Sequence, residues 1–286
     1  MTLDPRLHAY RPDLADRVLE GRVLAERFVD ARPAVIAVPV ADLHGAPSRE
    51  AGIDTQFLLG EPVRVFEVAK GWAWVQGVRD GYVGYVPGSA LSFDTEPAPT
   101  HRVTALRTWL FPEPELKKPP LAALSIGAQV AIAGEEVHRG TRYAMLADGT
   151  ALPAVHVAPV GKHAPDFVAV AERFLETPYL WGGASGFGVD CSGLVQLSMR
   201  MAGTEVPRDT DMQEASIGEA VEVGVGRSGL RRGDLVFWKG HVGIMVDDTR
   251  LLHANGSTMS VALEPLADAI ARIEPHYGQP TSFRRP

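Results

Sequence analysis

Between residues 34 and 95 the chain alternates short apolar runs with glycine turns. Val35-Ile36-Ala37-Val38, Pro62-Val63-Arg64-Val65-Phe66-Glu67-Val68, Trp72-Ala73-Trp74-Val75-Gln76 and Tyr82-Val83-Gly84-Tyr85-Val86 each read as a strand, and no helical period separates them. Short strands closed by such turns predict a small β-barrel. Ahead of them, Pro12 to Phe28 puts Leu14, Val18, Leu19 and Val23 on one side of a charged amphipathic helix, which predicts a helical segment within residues 1–33. A second set of runs follows the first. Ile126-Gly127-Ala128-Gln129-Val130 parallels Leu59-Gly60-Glu61-Pro62-Val63, and Arg142 to Leu146 and Leu152 to Val157 fill further strands. Residues 34–95 and 96–160 are therefore expected to be two copies of one barrel. Glu96-Pro97-Ala98-Pro99 marks the junction, and the prolines from Pro112 to Pro120 mark an exposed loop. The second copy lacks the paired tryptophans and the Asp-Gly-Tyr turn, and reads as a spacer.

From residue 161 the pattern changes. Leu194 to Ala202 is rich in helix formers, apolar on several faces, and ends at Gly203, a C′ glycine. Asp190 is placed to cap that helix. His241-Val242-Gly243-Ile244-Met245-Val246 reads as a strand with His241, Gly243 and Met245 on one face. Asp247 to Arg250 reads as a turn, and Leu251-Leu252-His253-Ala254 as the returning strand of a hairpin.

Candidate chemistry concentrates on those elements. Cys191, the one cysteine of the chain, follows the capping aspartate. A lone thiol cannot form an internal disulfide or a cysteine-rich metal site, and no cofactor or metal is expected. In the first helical turn the unpaired N–H groups and the dipole favour an anion, so the position is expected to depress the thiol pKa. The hairpin can bring both imidazoles to one face. One histidine then takes the thiol proton and the other orients it. For an isolated cysteine the competing reading is a small core residue.

Several motifs in order carry a family resemblance. Pro178-Tyr179-Leu180-Trp181-Gly182-Gly183, Asp190-Cys191-Ser192-Gly193-Leu194, Pro207-Arg208-Asp209 with Gln213, Gly233-Asp234-Leu235-Val236-Phe237-Trp238 and Gly240-His241-Val242-Gly243-Ile244 resemble the signature of NlpC/P60 cysteine peptidases, with His253 at the third catalytic position. The resemblance covers residues 161–286. It implies an α+β, papain-like catalytic domain and hydrolysis of amide bonds in bacterial cell-wall peptides. The turns and aromatics of residues 60–86 resemble a bacterial SH3 domain, so the whole reads as two SH3-like barrels before the catalytic domain. That architecture is similar to the γ-D-glutamyl-L-diamino acid endopeptidases of cell-wall recycling, which implies a muropeptide substrate, L-Ala-γ-D-Glu-diamino acid, with a free amino terminus.

Residue by residue, the resemblance implies Cys191 as nucleophile, His241 as its base and His253 as the orienting group. The Cys191 N–H and the Tyr179 hydroxyl are candidates for the oxyanion, although Tyr179 can equally be core packing beside Trp181. A buried ammonium needs a carboxylate and acceptors. Asp209 is the candidate, with Thr210 beside it and Ser192 near the nucleophile. Asp190 is either a cap alone or also substrate-facing, and Trp181 is a candidate groove residue. From the first barrel, Tyr82 and either Glu50 or Asp54 are offered to complete the site. Tyr82 can also be a barrel aromatic and Glu50 a solvated loop charge. An exported hydrolase of intact peptidoglycan and a non-catalytic cell-wall binding protein are the competing functions.

Composition narrows these readings a little. A net charge of −7, with no basic run, argues against a nucleic-acid partner, and no stretch approaches a membrane span. Met1-Thr2-Leu3-Asp4-Pro5-Arg6 lacks a leader pattern, and a free thiol suits a reducing compartment, so a cytoplasmic location is expected.

Overall fold

A computed structural model of the chain describes residues 3–224 and 228–286. Met1, Thr2 and residues 225–227, which fall in the expected N-terminal and catalytic segments, lie outside the described residues. The fold is α+β and divides into two compact units, Met1–Lys162 and His163–Pro286.

The first unit is mostly strand. An antiparallel sheet runs in the order Ile53–Leu58, Val40–His44, Val83–Pro87, Trp72–Gly77, Pro62–Ala69, Arg32–Ile36, Leu91–Ser92. Its alternation sends Val63, Val65, Val75 and Val86 into a core with Ile36, Leu43, Phe57 and Tyr82. A register shift between Val65 and Glu67 breaks the alternation. Phe66 thereby joins a different cluster, with Trp74, Ala9 and Leu14.

That second cluster explains why the expected helix over Pro12 to Phe28 does not form. Ala15–Asp16 pairs in parallel with Phe28–Val29, and only a 3-10 turn, Arg17–Leu19, lies between them. Leu14 and Leu19 are buried, whereas Val18 and Leu24 are 67% and 95% exposed. Tertiary contacts override the helical period. The Arg11 guanidinium stacks 4.4 Å above Trp74 and pairs with Glu67 at 2.7 Å, while Arg64 pairs with Asp16 at 2.6 Å.

The remaining strands of this unit form small antiparallel sheets between His101 and Pro159. Residues 112–120 are the loop between Arg107–Leu110 and Ala122–Ser125. Gly60, at φ +79°, abuts these strands: a Cβ there would sit 2.4 Å from the Gln129 carbonyl oxygen.

The second unit packs helices on an antiparallel sheet. Its helices are α1 (Phe167–Glu172), α2 (Cys191–Met201), α3 (Thr210–Ser216) and α4 (Leu266–Tyr277). The strands β1 (Leu235–Trp238), β2 (His241–Met245), β3 (Arg250–Asn255), β4 (Ser260–Pro265) and β5 (Ser282–Arg285) run in the order β5-β1-β2-β3-β4, with Glu219–Ala220 at the outer edge of β5. Every residue of α2 is buried, and the helix packs against β2 and β3. At about 1.5–3 kcal/mol for each large apolar side chain, burial rather than propensity holds so short a helix. Gly203 follows it at φ +93°. Helix α4 places Leu266, Ala269, Ile270 and Ile273 against Val236, Trp238, Met245 and Leu251.

Candidate active site

Asp190 fixes the start of α2. Its Oδ1 accepts from the Gly193 N–H at 2.7 Å and its Oδ2 from the Gly182 N–H at 3.0 Å. A Cβ at position 193 would lie 2.1 Å from the Gly183 carbonyl oxygen, so only glycine fits there. Arg208, 1% exposed, closes the arrangement. Its Nη1 donates to Asp190 Oδ1 at 3.0 Å and to Ser192 Oγ at 2.8 Å, and its Nη2 to Asp190 Oδ2 at 2.6 Å.

Cys191 is the first residue of α2. Its Sγ sits 3.9 Å from Thr210 Oγ1 and beside the Val242 backbone N–H. The expectation of a depressed thiol pKa is overturned. Burial, and next the Asp190 carboxylate, push it up to about 11, against the Val242 amide, Thr210 and Arg208. The residue that caps the helix also occupies the Gly193 N–H and sets a negative charge beside the sulfur, which offsets the dipole.

The hairpin register brings the imidazoles together. Ile244 faces Leu252 and Met245 faces Leu251. Continued by one pair, this sets Gly243 opposite His253 and leaves His241 on the diagonal of the same face. His241 Nε2 lies 2.8 Å from His253 Nδ1. His253 is fully buried, and its Nε2 lies 2.7 Å from Glu264 Oε1. Arg272 pairs with the same Glu264 oxygen. Burial, then the neighbouring His253 and Arg272, push His241 down to about 3, with Glu264 opposing. The bond from His253 holds the Glu264 carboxyl below its usual range, burial opposes this, and Arg272 adds to the lowering.

A cavity of about 480 Å³ opens over these groups. Cys191 and His241 line it together with Tyr179 and Trp181, and Arg272, His276 and Tyr277 of α4 form another part of its wall. Trp181 is 70% exposed. Burial, with Cys191 and Asp190 nearby, raises the Tyr179 hydroxyl well above its ordinary pKa and keeps it a neutral donor.

The structure therefore gathers Cys191, His241, Tyr179 and Trp181 around one cavity, with His253 behind His241. Thr210 touches the sulfur. Asp209, half-buried, starts α3 next to Arg208. Asp190 and Ser192 are turned to Arg208 and to each other. In the first unit, Tyr82 is a core residue, 5% exposed, and its backbone N–H donates to Asp80 Oδ1 at 3.1 Å. Glu50 is exposed on a turn, its N–H bonded to Ser48 Oγ at 3.1 Å, and Asp54 is half-buried near Gly45.

Sequence reasoning missed Arg208 as the buried partner of Asp190, and missed Glu264 and Arg272 altogether. The spacing of Leu266, Ala269, Ile270 and Ile273 is a helical signal that would have found α4 and its cavity face. Glu264 carries no local signal, because only strand register sets it beside His253. Among the described residues no helix is long and apolar enough to cross a membrane.

Comparison with known proteins agrees with this geometry. The model of the NlpC/P60 family matches residues 176–276, and that of the bacterial dipeptidyl-peptidase SH3 domain matches residues 43–91. The chain is 29% identical over 250 residues to a gamma-D-glutamyl-L-lysine dipeptidyl-peptidase of Bacillus cereus, covering 75% of this chain and 71% of that protein. It is 24% identical over 241 residues to dipeptidyl-peptidase 6 of Lysinibacillus sphaericus, covering 78% of this chain and 87% of that one. A gamma-D-glutamyl-L-lysine dipeptidyl-peptidase of Bacillus subtilis is 35% identical over 129 residues, 42% of each chain. The crystal structure of an NlpC/P60 family protein from Bacillus cereus shares the fold, with a TM-score of 0.73 at 24% identity over 88% of this chain and 99% of that one. The chain thus carries an NlpC/P60 cysteine peptidase domain at residues 176–276 and, ahead of it, a bacterial SH3 domain at residues 43–91.

Proposed function

We propose that this peptidase hydrolyses the γ-D-glutamyl–diamino acid bond of peptidoglycan stem peptides that carry a free N-terminal L-alanine. The observation that carries the chemistry is one cavity wall holding the chain's single thiol and a histidine backed by a second histidine. The bond follows from similarity to relatives named for γ-D-glutamyl-L-lysine cleavage.

In this reading Cys191 Sγ attacks the scissile carbonyl. With the thiol raised to about 11 and His241 lowered to about 3, both groups rest neutral. Proton transfer to His241 then accompanies attack rather than preceding it. The Val242 N–H steadies charge on sulfur. The Cys191 N–H and the Tyr179 hydroxyl receive the oxyanion. His241 returns the proton to the leaving amine, which departs and leaves a thioester on Sγ. A water molecule, giving its proton to His241, then attacks that thioester, and the proton returns to sulfur as the C–S bond breaks. His253 holds the orientation of His241 throughout.

Asp209 is assigned to the substrate ammonium, with Thr210 beside it and Trp181 along the groove. Asp190 and Ser192 act through Arg208, whose cation keeps their oxygens fixed. A free thiol supports a cytoplasmic location, which cell fractionation tests. The functional test compares L-Ala-γ-D-Glu-L-Lys with its N-acetylated form and with intact sacculi. The free peptide is expected to be cleaved fastest. Equal turnover of the acetylated peptide rejects the amino-terminus assignment.

A further inference from the structure

We propose that Glu264 is a positioning residue of the peptidase, a carboxylate two rings behind the base that fixes the protonation pattern of both histidines. This rests on the site assignment above. The strand register brings it there. On the β3–β4 ladder, His253 faces Ala262. Glu264, two residues further on, lies on the same face at the diagonal position, and the small Ala262 side chain leaves the space between them open.

Hydrogen-bond bookkeeping does the rest. An ionised carboxylate only accepts. Glu264 Oε1 stands 2.7 Å from His253 Nε2, so that nitrogen carries a proton and donates it. With that single proton on the ring, Nδ1 is bare. That nitrogen can only accept, so His241 Nε2, 2.8 Å away, must be the protonated donor. The remaining nitrogen of His241, Nδ1, is left with its lone pair, the state a base for the Cys191 thiol requires. No proton needs to travel along the chain. When Sγ gives its proton to His241 Nδ1, the positive charge is spread over a ring whose partner is anchored on an anion.

Asn255 makes the assignment testable, because it asks for the opposite pattern. Its Oδ1 accepts from the Ser257 and Thr258 N–H groups, each at 2.9 Å, which fixes the amide and aims Nδ2 at His253 Nε2, 3.3 Å away. A donor there favours a bare Nε2. The charged acceptor at 2.7 Å prevails over the neutral donor at 3.3 Å. Without the carboxylate, Asn255 decides. His253 then protonates on Nδ1 and donates to His241 Nε2, and the proton of His241 moves to Nδ1. That ring cannot act as base.

The charged and titratable groups around the pair come from every packed element: Cys191 and Asp190 from α2, Arg208 and Tyr179 from the adjoining loops, Glu264 from β4, and Arg272, His276 and Tyr277 from α4. Arg272 holds Glu264 ionised and lowers His241, so Glu264 also screens that cation from the base.

The experiment uses the full chain with 15N-labelled histidine rings, together with steady-state cleavage of L-Ala-γ-D-Glu-L-Lys against pH. The His253 signals are assigned by their loss in His253→Asn. In the parent, His253 is expected to be protonated on Nε2. Glu264→Gln can keep that proton by accepting through its carbonyl but loses the charge. Its kcat is expected to fall about 10-fold, with KM within about 3-fold. Glu264→Ala is expected to reverse the His253 tautomer and to cost kcat at least about 100-fold, as loss of the correct tautomer does in serine triads. In the unliganded Glu264→Gln protein the His241 titration should also move to lower pH. A purely structural Glu264 would lower the melting temperature and leave kcat, the titration and the tautomer alone. Glu264→Ala retaining an Nε2 proton on His253, or Glu264→Gln matching the parent in kcat and titration, overturns the proposal. If the parent itself leaves the peptide intact, the bond assignment fails, while the ring spectra still decide the role of Glu264.

Discussion

Replacing Arg208 by leucine isolates the energetics of the Asp190 cap. Arg208 is 1% exposed and makes a two-pronged bond to a carboxylate that is itself 8% exposed. Removing one partner of such a buried pair typically costs about 3–5 kcal/mol, because the other charge remains desolvated. Asp190 would keep the Gly182 and Gly193 N–H groups and the Ser192 hydroxyl, so the lower end, about 3 kcal/mol, is expected. Adding Asp190→Asn removes the stranded charge yet keeps a good N-cap. The double variant should therefore recover about 2 kcal/mol relative to the sum of the single variants. Cys191, buried and the only thiol, reports unfolding of its own unit through pulsed alkylation in urea. Arg208→Leu costing under about 1 kcal/mol, or strict additivity in the cycle, would refute the claim that this ion pair holds the nucleophile's helix start.

Other expectations follow from the same groups. Alkylation of native Cys191 should accelerate with pH up to about 11, and a rate already flat at pH 7 contradicts the neutral thiol. His241 refuses a proton that the unfolded chain takes up near pH 6.5. Native stability is therefore full above that pH and falls as pH drops toward 3, by roughly 2–4 kcal/mol for a ring with one edge in the cavity. His241→Asn should remove that part of the difference in urea midpoint between pH 7 and pH 4.5. Gly193→Ala drives a Cβ to within 2.1 Å of backbone oxygen, and a loss of about 3 kcal/mol is expected in thermal or urea melts.

Much of the site was legible because it depends on local signals. The cap at Asp190, the C′ glycine at Gly203 and the alternation that puts His241 and Met245 on one face are properties of neighbouring residues, and they survive folding. The segment Pro12 to Phe28 was not legible. Its apolar spacing suits a helix, but Leu14 finds its partners at Phe66 and Trp74, far along the chain. The sign of the thiol shift was hidden for a related reason. The dipole is local, whereas the burial of Cys191 and the charge balance of Asp190 with Arg208 emerge only when α2 and the start of α3 close on each other. Glu264 needed the β3–β4 register, which neither strand encodes alone.

The central claim is that Cys191 is the nucleophile of a peptidase acting on γ-D-glutamyl peptides. Cleavage of L-Ala-γ-D-Glu-L-Lys by the parent and by Cys191→Ala, followed by release of free lysine, tests it most directly. Lysine release by the parent and none above background from the variant is the predicted result. Release at the parental rate by the variant would contradict it.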